Sequence, residues 1–151
     1  MDLQKYMLLA LEQAKIAAEM GEVPVGAVIV KGDMVLAACH NTREESGDPL
    51  AHAELSALKK AAQKLGDWRF QDCTLYVTLE PCPMCAGALI MARMGRIVFG
   101  AYDEAQGCCG SVYLLPMDKA LNGQAEVIGG VMENECKALL SAFFKNKRQG
   151  V

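Results

Sequence analysis

Cys73-Thr74-Leu75-Tyr76-Val77-Thr78-Leu79-Glu80-Pro81-Cys82-Pro83-Met84-Cys85 reads as a strand running straight into a helix. Cys73 to Thr78 is short, apolar and β-branched, which favours a buried strand, and Pro81 suits a first helical turn, so a helix is expected from there to about Arg93. Working outward, Arg96 to Gly100 repeats the strand pattern on the downstream side. Upstream, Pro49 to Leu65 places Leu55, Leu58, Ala62 and Leu65 at helical spacing and stops at Gly66. Val25 to Val30 and Met34 to Cys39 flank a Lys31-Gly32-Asp33 turn as a hairpin, and a polar loop follows from His40 to Asp48. An amphipathic helix opens the chain, with Leu3, Met7, Ala10, Leu11, Ala14, Ala17 and Ala18 on its apolar face and Gly21 at its end. Between Tyr102 and Asn122 turns dominate, with a short helix expected near Val112 to Leu115. A brief strand at Glu126 to Ile128 and a helix from Glu133 to Arg148 complete the pattern. Strands alternating with helices predict a three-layer α/β fold, and the hairpin makes the sheet mixed.

The 151 residues are 52% hydrophobic and 22% charged, a composition of ordered globular chains. Neither a repeat nor a Pro/Gly/Ser linker asks for a second unit, so one domain over residues 1–151 is expected. No apolar run reaches membrane-spanning length and the first residues lack a signal-peptide pattern, which predicts a cytoplasmic protein. Seven cysteines, an odd number, then suggest reduced thiols whose spacing is to be read for metal or catalysis before disulfides. The net charge of −3 conceals an asymmetry. Residues 1–136 carry −7, whereas residues 137–151 carry +4 through Lys137, Lys145, Lys147 and Arg148. A basic end on an acidic body is a candidate phosphate contact, although it is also how a solvated helix end complements its dipole.

Cys82 and Cys85 lie three residues apart at a predicted helix start, where the spacing lets both thiols grip one metal and the positive helix end favours thiolates. Alone, that pair equally suits a redox dithiol. His52, one of two histidines, supplies a third ligand at the start of the preceding helix. One His and two Cys leave zinc an open fourth position for water, the arrangement of a catalytic site rather than a structural one. Such chemistry needs a proton carrier. Glu54 stands two residues from His52, off its helical face, and suits the role of base beside the metal better than that of fourth ligand.

His52-Ala53-Glu54 followed by Pro81-Cys82-Pro83-Met84-Cys85 resembles the signature of the zinc-dependent nucleobase deaminases. The resemblance implies Zn2+ held by His52, Cys82 and Cys85, with Glu54 carrying protons from the activated water to the base and the departing ammonia. It also implies a three-layer α/β/α, cytidine-deaminase-like fold around a sheet of about five strands. Over nearly the whole chain, the sequence is similar to the bacterial tRNA adenosine deaminases, which form inosine at the anticodon wobble position as homodimers. The residues carrying that likeness include Gly21-Glu22-Val23-Pro24-Val25-Gly26-Ala27, His40-Asn41, Asp48 to Glu54, Leu75 to Cys82, Cys85-Ala86-Gly87-Ala88 and the stretch from Leu139 to Lys145. By that similarity Asn41 holds the flipped base, while Asn122 and Phe144, with Lys145, Lys147 and Arg148, contact the anticodon stem-loop. One position departs from the family pattern. Where a His commonly follows the Asn at position 122, this chain has Gly123.

The plainer readings are structural. Cys39, Cys73 and Cys136 suit small buried hydrophobes, and Cys108-Cys109 a tight loop near the pocket. Phe143 and Phe144 are adjacent on a helix, so one is left to stack on a base or pack against a partner. The competing functions are a deaminase of free guanine, cytosine or a nucleoside with the same zinc site, which Gly123 and the acidic body favour, and a noncatalytic RNA-binding module with structural zinc. Glu54 speaks against the last, because a structural site has no use for a carboxylate beside an open position.

Overall fold

The computed structural model describes residues 2–149. Its elements run α1 (Leu3–Glu19), β1 (Gly26–Lys31), β2 (Met34–His40), α2 (Arg43–Ser46), α3 (Ala53–Leu65), β3 (Cys73–Leu79), α4 (Pro83–Met91), β4 (Arg96–Ala101), β5 (Glu126–Ile128) and α5 (Glu133–Gln149). The five strands form one sheet in the order β2-β1-β3-β4-β5. β1 pairs antiparallel with both β2 and β3, and the β3/β4 and β4/β5 pairs are parallel, so the sheet is mixed as the hairpin predicts.

The period of two along a strand divides the core into two layers. Ala27, Ile29, Leu75, Val77, Ile97 and Phe99 face α3 and α4, where Ala53, Ala57, Ala61 and Leu89 meet them. Val28, Val30, Tyr76 and Val98 point the other way, onto Met7, Ala10 and Leu11 of α1 and Cys136 of α5. A fully buried side chain of this kind contributes about 1.5–3 kcal/mol, and the central strands bury both faces. α1 lies so close to the sheet that a Cβ on Gly26 would stand 1.9 Å from the carbonyl oxygen of Ala10, which makes glycine obligatory there. No helix among the described residues is long and apolar enough to cross a membrane.

Four boundaries differ from the expectation. The second long helix begins at Ala53, not Pro49, because Asp48 folds the intervening residues into a turn: its side chain accepts from Leu50 N at 2.8 Å and its carbonyl from Ala51 N at 3.1 Å. α4 begins at Pro83, with Cys82 as its N-cap. The loop after β2 holds the one-turn helix α2, braced by the buried Glu22, whose carboxylate accepts from Glu44 N at 3.1 Å and Glu45 N at 2.8 Å. The short helix expected at Val112 to Leu115 lies instead at Leu115–Met117 as a 3-10 turn, followed by a second at Lys119–Leu121, because Cys108 and Gly107 carbonyls take the amides of Leu115 and Val112.

Candidate active site

Sheet topology brings the site residues together. The parallel strands β3 and β4 end side by side at Leu79 and Ala101, and antiparallel β1 begins at the same edge, with Gly26 opposite His40. The loops that carry chemistry in an α/β sheet open at the carboxyl ends of its parallel strands, and so it is here. His52 is the N-cap of α3 and Cys82 the N-cap of α4, so two positive helix ends converge on one point.

Neither cap uses its own side chain on its helix. For α3 the work is done from elsewhere: Asn41 Oδ1 accepts from Ala53 N at 2.8 Å, and Asn41 Nδ2 donates to the Val23 carbonyl at 3.2 Å. That arrangement frees the His52 imidazole to face the thiols. Its Nδ1 lies 3.6 Å from Cys82 Sγ and 3.4 Å from Cys85 Sγ. Tetrahedral zinc with S at ~2.3 Å and N at ~2.0–2.1 Å requires N···S separations of about 3.6 Å, which both His–Cys separations approach. Among the described residues they are the group of His, Cys, Asp and Glu side chains placed to share a metal.

The electrostatics suit that use. The hydrogen bond from Cys85 and the neighbouring His52 hold the Cys82 thiol down to about 4, while the same bond and burial push Cys85 upward. The bond to Cys82 raises His52. Glu54 is buried at 4% exposure, and desolvation lifts its carboxyl to about 7. A carboxyl poised there can both accept and return a proton near neutrality.

A cavity of about 180 Å³ gathers Asn41, His52, Glu54 and Cys82, with Val23, Val25, Arg43, Leu79, Glu80, Asp103 and Gln106 completing its wall. Cys85 sits fully buried behind it. Asn122 is not part of this cavity. It takes the left-handed conformation, φ +62°, and lines a separate hollow of about 330 Å³ with Gln71 and Arg93. Gly123 beside it is buried, and a Cβ there would meet the Pro116 carbonyl oxygen at 2.5 Å, so the local backbone is built around glycine. Phe144, Lys145 and Arg148 are exposed on α5, away from the cavity lining, and Phe143 is half-buried under an edge-on contact with Phe144. Cys39, Cys73, Cys108, Cys109 and Cys136 are all buried free thiols.

The sequence reading passed over Arg43, Asp103 and Gln106 in the cavity wall, and the buried acids Glu22 and Glu80. Glu22 and Glu80 act by accepting hydrogen bonds from segments more than twenty residues away, a signal absent from local spacing.

Three side chains that could share a metal, a buried carboxyl in the same cavity and an α/β/α frame suit hydrolytic chemistry. The chain belongs to the MafB19-like deaminase family, whose profile matches residues 1–148. It is 49% identical over 144 residues to the tRNA-specific adenosine deaminase of Bacillus subtilis, covering 95% of this chain and 89% of that one. A solved structure from a study of A-to-I editing by tRNA:A34 deaminases superposes with a TM-score of 0.86 at 38% identity, covering 90% of this chain and 99% of that chain. A guanine deaminase structure from Bacillus subtilis also matches at 38% identity, but with a TM-score of 0.64 over 68% of this chain and 66% of that one. Both likenesses agree on a hydrolytic deaminase.

Proposed function

We propose that the chain deaminates adenosine to inosine at the anticodon wobble position of transfer RNA, consuming water and releasing ammonia, with zinc held by His52, Cys82 and Cys85. The observation that carries this reading is the 49% identity over 95% of the chain to a tRNA-specific adenosine deaminase, and the 3.4 and 3.6 Å spacing of the three ligand atoms, with buried Glu54 in the same cavity, supports its chemistry. Held by His52, Cys82 and Cys85, zinc would supply an activated water near neutral pH. Glu54 takes a proton from the attacking water and delivers it to the ring nitrogen as the C6–O bond forms, then carries the new hydroxyl's proton to the amine as the C6–N bond breaks and ammonia leaves. Asn41 holds the base: its amide carries two hydrogens, one committed to Val23, and the other is assigned to the substrate.

The wider partner assignments follow the relatives. Asn122, Phe144, Lys145 and Arg148 contact RNA outside the reacting nucleotide, and without a side chain at 123 that contact falls more heavily on the α5 end. Self-association as a homodimer is supported by the exposed apolar run Val112, Tyr113, Leu114 and Met117, whose turn packs beside α4 and its exposed Met91. A transfer-RNA substrate supports a cytoplasmic setting for the protein.

A second reading, deamination of free guanine, is favoured by the 38% identity to a guanine deaminase and by the absence of a side chain at Gly123. One experiment separates the two. The zinc-loaded protein is incubated with an anticodon stem-loop bearing adenosine at the wobble position, and in parallel with guanine and cytosine. Inosine from the RNA with no ammonia from the free bases is expected. Ammonia from guanine with the RNA untouched would replace the first reading by the second.

A further inference from the structure

Glu80 is 2% exposed, yet its charge is met by backbone and hydroxyl donors of a distant loop. It stands between the end of β3 and Cys82, two residues from a proposed metal ligand. Oε1 accepts from Asp103 N at 3.0 Å and from the Ser111 hydroxyl. Oε2 accepts from Cys109 N at 3.0 Å and Ser111 N at 2.9 Å. The loop rests directly on the carboxylate, since a Cβ on Gly107 would lie 2.3 Å from Glu80 Cδ. A further bond, from Cys108 N to the Pro81 carbonyl at 2.8 Å, fastens it next door.

This loop contributes Asp103 and Gln106 to the cavity that contains His52, Glu54 and Cys82. Asp103 Oδ1 accepts from Ala105 N and Gln106 N at 3.1 Å each, so the turn carrying both residues is braced within itself. Glu80, with the Cys108–Pro81 bond beside it, fixes the braced turn against the end of β3. Charge-assisted bonds to a carboxylate are roughly twice as strong as neutral ones, and four of them converge here.

We infer that Glu80 is a positioning residue that clamps loop 103–111 as one wall of the substrate cavity, setting how well substrate is held rather than how fast it reacts. The substrate part of this inference rests on the function proposed above; the clamp itself does not.

Glu80→Gln keeps the shape and exchanges one acceptor oxygen for an amide donor, which then faces N–H groups. The expected result is unchanged zinc content, faster amide exchange across 103–111 with 53–65 unaltered, and a KM for the stem-loop raised about tenfold, with kcat within about threefold of the unmodified protein. Ser111→Ala removes the hydroxyl donor alone and should move exchange and KM in the same direction by about two- to fivefold, testing the clamp even if the Gln variant does not fold. Unchanged exchange across 103–111 in Ser111→Ala would overturn the clamp. A fall in kcat at constant KM in either variant would overturn its role in holding substrate. If the unmodified protein leaves the stem-loop untouched, the functional reading fails while the exchange measurement still decides the clamp.

Discussion

The cradle at the starts of α3 and α4 and the basic end of α5 are built under opposite constraints. At the cradle the polar groups are buried or half-buried and meet one another: Asn41 caps α3 from outside, His52 meets two thiols, and Glu54 sits desolvated in the same cavity. Removing one partner there strands another in a low-dielectric setting, so effects should be large and local. On α5, Phe144, Lys145 and Arg148 stand in solvent, where each charge is screened and each contact replaceable. Chemistry is concentrated in the first region, whereas affinity for a polyanion can be spread across the second.

That contrast can be broken most sharply at the proposed metal ligands. Cys85→Ser should lose the bound zinc, measured by atomic absorption, and reduce deamination to background; full zinc retention would remove Cys85 from the ligand set. Glu54→Gln should keep its zinc and lower kcat by about 10²–10⁴, the range for a positioned proton carrier. Asn41→Ala withdraws the cap of α3 and the proposed substrate contact together, so a loss of about 1–3 kcal/mol is expected in urea melts, with a rise in KM. The smallest effect belongs to the α5 end. Lys145→Ala with Arg148→Ala should leave kcat unchanged, weaken stem-loop binding and reduce the slope of log K against log salt by roughly 2. An unchanged slope would show that this end does not touch phosphate.

Much of this was legible before any coordinates. The strand-into-helix reading of Cys73 to Cys85, the hairpin and the alternation of elements place all five strands correctly, because apolar period and turn residues are local signals. The pairing of His52-Ala53-Glu54 with Pro81-Cys82-Pro83-Met84-Cys85 likewise identifies which side chains to watch. The start of α3 was less legible. Pro49 suits a first turn locally, but Asp48 captures the amide of Leu50 and the cap of Ala53 comes from Asn41, twelve residues upstream. Glu22 and Glu80 read as ordinary acids, since nothing around a glutamate in the sequence tells whether its carboxylate is solvated or is bound by a remote loop. Gly123 shows the converse. Its place in the sequence marks a departure from a pattern, but the close approach of the Pro116 carbonyl oxygen, 2.5 Å from where a Cβ would stand, is visible only in space.

The most direct test compares the unmodified protein with Glu54→Ala, each carrying about one zinc per chain, on a wobble-adenosine stem-loop under single-turnover conditions. Inosine at the wobble position from the unmodified protein and none from the variant is the predicted result. No inosine from the zinc-loaded unmodified protein, or equal amounts from both, would contradict the account.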